Sequence, residues 1–253
     1  MGEHVGVVMR RRTRPHAVIL AGGKGVRLRP YTTCLPKPLV PLGGECAILE
    51  VVLGQLARAG VGSVSIAIGH LGQLIRALVG DGHRWNLAVD YWEEESPLGT
   101  VGPLVLHRDE LPHDFLVMNG DILTDLAFGR VLDQHRATGA QVTVAAYHRS
   151  VQVDFGVLDL NGHEEEQRIA GFEEKPTLRY TVSMGVYALS AAVLERFEPG
   201  LPLGFDELLL DQLESGNQPH AYPFEGFWLD IGRPEDYDRA NEQFPVLRSS
   251  LIG

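Results

Sequence analysis

Along the first 150 residues, short apolar runs alternate with longer amphipathic ones, and this alternation restricts the fold more than any other feature. Ala17–Leu20 is four apolar residues, enough for a buried strand, and a glycine-rich turn follows it. Leu49, Val52, Leu53 and Leu56 recur at helical spacing within Ile48–Ala59, and Gly60 stands just past the end. Further strands are expected at Val64–Ile68, Leu87–Trp92, Phe115–Met118 and Gln141–Tyr147, with helices at Leu71–Val79 and Leu126–Thr138. Strands separated by helices pair in parallel, because each helix crosses over a face of the sheet. The expected fold class is α/β: a mostly parallel, Rossmann-like sheet flanked by helices.

After about residue 150 the pattern changes. Strand-like pieces at Gly156–Leu160, Arg168–Glu173 and Thr181–Leu189 follow one another without long helices. A helix over Phe205–Glu214, strands at Ala221–Phe224 and Phe227–Leu229, and a helix over Pro234–Gln243 complete the chain, with Pro234 suited to a first helical turn. No repeat or long linker divides the chain. The expectation is one domain over 16–253, with a first half to about 150 and a smaller lobe beyond it. Residues 1–15 carry Arg10, Arg11, Arg12 and Arg14 but lack the apolar stretch of a signal peptide, so a loose basic arm is expected.

The formal net charge of −11 argues against nucleic acid as a partner, since phosphate contacts need a basic surface. No apolar run reaches the length of a membrane span. Cys34 and Cys46 are too few for a disulfide framework and match no zinc spacing, which suits a reduced, cytoplasmic protein. The ten histidines form no spacing typical of a metal site or catalytic dyad and are expected mostly on the surface.

The turn after the first strand reads Ala21-Gly22-Gly23-Lys24-Gly25-Val26-Arg27. Glycines there let backbone N–H groups approach phosphate oxygens, and Lys24 and Arg27 bring positive charge. It is neither a Walker loop nor a dinucleotide fingerprint, because Leu28 stands where the latter needs glycine. Taken alone, it fits a tight turn equally well. Further on, Pro36 and Pro38 flank Lys37 and fix the backbone that carries it. Asp121 ends the fourth strand as Asn119-Gly120-Asp121, and Asp230 lies in Trp228-Leu229-Asp230-Ile231-Gly232. Ligands of open α/β sheets bind at the carboxyl ends of strands, and two carboxylates there can hold one Mg²⁺ against phosphates.

Ala17–Leu20 with the glycine-rich turn, followed by Pro36-Lys37-Pro38-Leu39-Val40-Pro41, resembles the signature of the sugar-1-phosphate nucleotidylyltransferases. The resemblance extends from Ala17 to about Phe244 and is closest in pattern to mannose- and heptose-1-phosphate guanylyltransferases of bacterial sugar pathways. It implies a GT-A-type fold, a nucleoside triphosphate and a sugar 1-phosphate as partners, Mg²⁺ as cofactor, and a possible homodimer. Arg27, Lys24 and Lys37 would act on the phosphates. Leu20, Ala21, Gly22, Gly23, Gly25, Glu94, Gly99, Thr100, Asn119 and Gly120 would bind nucleotide, with Gly99 and Thr100 near the base. Asp121 and Asp230 would hold the metal. In the second half, the Glu173-Glu174-Lys175-Pro176 element would put Lys175 on the sugar phosphate and Glu173 on sugar hydroxyls. Gly156 and Gly185 would close on the ring. Met184, read in itself as a packing residue, belongs to the Ser183-Met184-Gly185 segment, where many relatives carry Asn-Ala-Gly. The chain leaves no room for the β-helix domain some relatives append, so none is expected.

The implied reaction is in-line attack of a sugar phosphate oxygen on the α-phosphorus, with pyrophosphate leaving. The nucleophile is already ionised near neutral pH, so no general base is needed. GTP is the preferred nucleotide, with ATP, UTP, CTP or dTTP as alternatives. An inactive nucleotide-sugar-binding protein stays open. A glycosyltransferase fits less well, since Asp121-Ile122-Leu123 is not Asp-x-Asp.

Overall fold

The computed structural model describes residues 14–94, 96–162 and 167–252. Of the arm expected over 1–15, only Arg14 and Pro15 are among them. The first half contains β1 (His16–Ala21), β2 (Pro41–Leu42), β3 (Cys46–Ala47), α1 (Ile48–Arg58), β4 (Ser63–Ile68), α2 (Gly72–Val79), β5 (Ala88–Glu93), α3 (Gly102–Leu106), β6 (Asp114–Asn119), β7 (Ile122–Thr124) and α4 (Phe128–Thr138). The second contains β8 (Val142–Gln152), β9 (Val157–Asn161), β10 (Arg168–Glu173), β11 (Thr177–Ser190), α5 (Phe205–Glu214), β12 (His220–Phe224), β13 (Trp228–Asp230) and α6 (Pro234–Ile252).

Seven strands form the main sheet in the order β12-β8-β11-β6-β1-β4-β5. The expected parallel character holds: β1 pairs in parallel with β4 and β6, β4 with β5, and β8 with β12. β11 is the exception and runs antiparallel to both β6 and β8. Its link to β8 is a β-arm rather than a helix, and antiparallel pairing needs no crossover.

The two-residue period of the strands sorts their side chains onto two faces. Ala17, Ile19 and Ala21 of β1 join Leu116 and Met118 of β6 in one core, covered by α1, α2 and α4. Val18 of β1 joins Phe115 and Val117 of β6 in the other, covered by α3, α5 and the turn containing Val193 and Leu194. Both faces of the central strands are thus buried, which is why they read as continuous apolar runs. Among the described residues no β-helix occurs, and no helix is long and apolar enough to cross a membrane.

Three elements exceed their expected lengths. β8 and β11 continue as a paired ribbon to Gln152↔Thr177, with mostly exposed side chains beyond Tyr147. A ribbon without a buried face has no apolar alternation to mark it. α6 runs through Pro245 to Ile252 instead of stopping at Gln243. A proline costs a helix one hydrogen bond, but Phe244 and Leu251 are fully buried against Leu42, Ile48 and Val51. The Arg58 guanidinium also donates to the Leu251 and Ile252 carbonyls.

Among the described residues, His135 departs from the expected surface placement, and His16 does so in part. His16 contacts the Ser63 and Ser65 hydroxyls from β1. His135 is 1% exposed, with Nδ1 2.9 Å from Thr143 Oγ1 and Nε2 3.2 Å from Ser190 Oγ. Burial lowers the pKa of His135 from its ordinary 6.5, with Asp114 opposing the shift. The unfolded chain therefore takes up this proton more readily, so stability is full above pH 6.5 and is lost as pH falls below it. Denaturant midpoints should decrease from pH 7.5 to 5.5, and less steeply in His135→Gln; identical slopes would exclude His135 as a source.

Candidate active site

Parallel strands present their carboxyl ends along one edge of a sheet. The chain passes from β1 to β4 on one side and later returns as β6 on the other, which opens a crevice above β1 and β6. A cavity of about 470 Å³ occupies it. The glycine-rich turn forms one wall, contributing Gly22, Gly23, Gly25 and Arg27, while Leu20 and Ala21 close the base. Asn119 and Asp121 line the β6 side, and Glu94, Gly99 and Thr100 the β5 side.

Backbone packing requires several of these residues. Gly25 has φ +60°, and an added Cβ would lie 3.3 Å from Lys37 Cβ, so the glycine-rich turn closes directly over Lys37. Gly120 donates its N–H to the Leu20 carbonyl (2.9 Å). Gly99 has φ +77°, and a Cβ there would sit 2.5 Å from the Leu203 carbonyl oxygen. Gly99→Ala should therefore destabilise the protein by about 2 kcal/mol, read from denaturant unfolding; an unchanged midpoint would show that the loop yields. Thr100 is anchored as well, its hydroxyl accepting the Phe205 N–H at the start of α5 (3.1 Å).

Lys37 lies in a single 3₁₀ turn, Lys37–Leu39, and is 8% exposed. Its Nζ pairs with Asp121 Oδ2 and lies 3.9 Å from Asp230 Oδ1. The two aspartates are 109 residues apart in sequence and are joined by the short β7–β13 pairing, which sets Asp230 opposite Ile122. The Ile231 N–H donates to the Asp121 carbonyl (3.2 Å) and locks the junction. Asp121 Oδ1 is buried and has no hydrogen-bond partner. Burial and the neighbouring Asp121 raise the pKa of Asp230, while Lys37 and Arg27 counter the shift. Among the described residues no group of three or more His, Cys, Asp or Glu could hold a metal ion. Magnesium asks for less, since one or two carboxylates suffice when waters and ligand phosphates supply the rest.

A second concavity of about 580 Å³ adjoins the first, and Arg27 and Gly232 line both. Asp230 lies on its near side. Tyr147 and Trp228, with ring centroids 5.3 Å apart, supply aromatic surface.

With these cavities in place, the comparison with known sequences is direct: a family model described as Nucleotidyl transferase matches residues 16–245. The chain belongs to that family. Among curated members of the nucleotidyl transferases, it is 35% identical over 227 residues to the mannose-1-phosphate guanyltransferase of Schizosaccharomyces pombe, covering 87% of this chain and 62% of that one. It is 33% identical to the mannose-1-phosphate guanylyltransferase catalytic subunit beta of Dictyostelium discoideum, with the same coverage. The chain thus spans 62% of the length of these relatives. Among solved structures, HddC from Yersinia pseudotuberculosis superposes with a TM-score of 0.70 at 25% identity, covering 91% of this chain and 99% of that one.

Not every residue expected from sequence reaches the cavities. Lys24 is exposed at the tip of the glycine-rich turn and lines neither. Gly156, Glu173 and Lys175 lie on the β8–β11 arm, where side chains are mostly exposed, and line neither. There Gly156 lies against Phe172 and Glu174. Met184 does not present its side chain to a cavity: it is 1% exposed in the core, as its packing reading had it, and only its carbonyl is engaged, accepting from Trp228 Nε1–H (3.1 Å). Gly185, at φ +71°, packs against the Asn119 side chain, which borders the first cavity. His148, Arg149, Arg233 and Arg239 of the second concavity carry no signal in the sequence. They come from β8, the turn after β13 and α6, and no local motif joins them.

Proposed function

We propose that this chain is a nucleotidylyltransferase that joins GTP to a sugar 1-phosphate of the mannose type, forming a GDP-sugar and pyrophosphate. The observation that carries the reading is Lys37, held between Asp121 and Asp230 where two cavities meet. One cavity takes the nucleotide and the other the acceptor. The acceptor phosphate presents an ionised oxygen to the α-phosphorus, and pyrophosphate leaves on the opposite side. No side chain has to remove a proton. The work left to the protein is to bring two polyanions together and to offset charge on the phosphoryl oxygens.

Lys37 supplies a fixed positive charge at that point, and Arg27 does so from the border of both cavities. Asp121 and Asp230 would hold Mg²⁺. Their oxygens suit a hard cation, and the buried, unpartnered Oδ1 of Asp121 is the kind of group such an ion satisfies. When bound, the ion neutralises phosphate charge and polarises the phosphoryl group. Backbone N–H groups of the glycine-rich turn cradle the triphosphate.

Guanine is supported by Glu94. A carboxylate only accepts hydrogen bonds, and guanine presents two adjacent donors, N1–H and N2–H, on its Watson–Crick edge. Glu94 lines the nucleotide cavity, and burial raises its pKa above the ordinary Glu value. Glu94→Gln should lower the preference for GTP over ATP by about tenfold, the worth of one charge-assisted hydrogen bond. An unchanged ratio of kcat/KM values would move base reading to another residue. A mannose-type sugar is supported by the named activity of the 35%-identical relative. The test of the whole reading is pyrophosphate release with Mg²⁺ over a panel of five nucleoside triphosphates and several sugar 1-phosphates. Release with GTP that requires the acceptor supports it; release with another nucleotide corrects the base; release with none rejects it.

A further inference from the structure

The second concavity gathers four arginines from four separate parts of the chain. Arg149 enters from β8, Arg233 from the turn before α6, Arg239 from α6, and Arg27 from the glycine-rich turn. Among the described residues, none of these four guanidinium groups takes part in an ion pair. Elsewhere on this acidic chain, Arg76, Arg84, Arg136, Arg196 and Arg248 pair with carboxylates, whereas among the described residues Arg29, Arg130 and Arg179 stand singly and do not. Only two carboxylates line the concavity, Asp230 and Asp236, so four guanidiniums less two carboxylates leave a local excess of two positive charges. Asp236 Oδ2 accepts the Arg233 backbone N–H (3.0 Å) and leaves that guanidinium unengaged.

The placement of the charge matters as much as its amount. On the reading above, the acceptor's anomeric phosphate lies at the Lys37, Asp121 and Asp230 end, where Arg27 already serves both cavities. Arg149, Arg233 and Arg239 do not line the nucleotide cavity. They face the rest of the acceptor. Three planar guanidiniums are donor sets shaped for anionic oxygens and have little use for neutral hydroxyls alone. Tyr147 and Trp228 line the same concavity and offer aromatic surface to a sugar ring.

We infer that the preferred acceptor carries a second anionic group, a phosphate or a carboxylate, in addition to its anomeric phosphate, and that Arg149, Arg233 and Arg239 bind it. The inference rests on the proposed acceptor role of this concavity and extends it to a substrate class.

The test is equilibrium binding by calorimetric titration of the full chain, which reads binding without requiring turnover. The probes are mannose 1-phosphate, mannose 1,6-bisphosphate and mannuronate 1-phosphate. The bisphosphate or the uronate should bind about tenfold more tightly than the monophosphate, and which of the two does so identifies the group. In Arg149→Gln and Arg239→Gln that advantage should largely disappear, while affinity for the monophosphate changes far less. Arg149→Lys should recover part of it, because charge remains although the planar fork is lost. Equal binding of all three probes by the wild-type chain overturns the inference. So does a parallel loss for all three in the variants, which would assign the arginines to the anomeric phosphate. Pyrophosphate release without any anion preference removes the inference and leaves the proposed reaction standing. An anion preference without release removes the reaction and leaves the doubly anionic ligand.

Discussion

Lys37→Ala should slow pyrophosphate release by about 10²–10³-fold, the cost of removing one fixed electrostatic contact to a transition state. The size follows from how firmly this lysine is held. Its backbone lies in a turn bounded by Pro36 and Pro38, its side chain is buried, and Asp121 and Asp230 orient its amine. A lysine so placed reorganises little when substrates arrive. The split between parameters is informative: kcat should fall while the Mg²⁺ concentration for half-activity does not rise, because removing a cation leaves both carboxylates more available to metal. Lys37→Arg should restore little, since a guanidinium is larger than the enclosed space around an ammonium group and bonds with different geometry. Steady-state rates within about threefold of wild type would remove Lys37 from the reaction.

Asp121→Asn should have an effect of similar size with a different signature. The amide keeps the shape of the side chain but not its charge, so Lys37 loses its closest counter-charge and the proposed metal site loses one of two carboxylates. Turnover should drop by about 10²–10³-fold, and the Mg²⁺ requirement should move to higher concentration. Mn²⁺ binding measured by electron paramagnetic resonance separates this from a purely structural effect, because it reads the ion without turnover. Unaltered Mn²⁺ affinity would take Asp121 out of the metal site. Some stability should also be lost, since a buried ammonium is left with one weaker partner 3.9 Å away.

Much of the fold was legible because the parallel core is written locally. Ala17–Leu20 and Phe115–Met118 read as strands since both their faces are buried, and α1 showed its apolar stripe. The ribbon of β8 and β11 was only partly legible, because residues beyond Tyr147 pair through backbone hydrogen bonds and present side chains to solvent on both faces. The last turns of α6 were missed because Pro245 signals a stop, while Phe244 and Leu251 keep the helix going through contacts with residues some 200 positions earlier.

The site divides in the same way. The glycine-rich turn, Lys37 and Asn119-Gly120-Asp121 are contiguous motifs, and the structure gathers nearly all of them around one cavity. Asp230 came from its motif, but its position beside Asp121 depends on the β7–β13 pairing, which three-residue strands announce only faintly. The arginines of the second concavity were illegible for a plainer reason. Each lies in a separate element and reads alone as a solvated surface charge, and only the fold turns them toward a common space.

The most direct test of nucleotidyl transfer follows the phosphorus atoms themselves. GTP labelled with ³²P at the α-position or, separately, at the γ-position is incubated with mannose 1-phosphate, Mg²⁺ and the full chain, and the products are separated. The account predicts α-label in the GDP-sugar and γ-label in pyrophosphate, each dependent on the acceptor. Transfer of γ-label to the sugar, or its release as inorganic phosphate, would mean that Lys37, Asp121 and Asp230 serve a different reaction and would contradict the account.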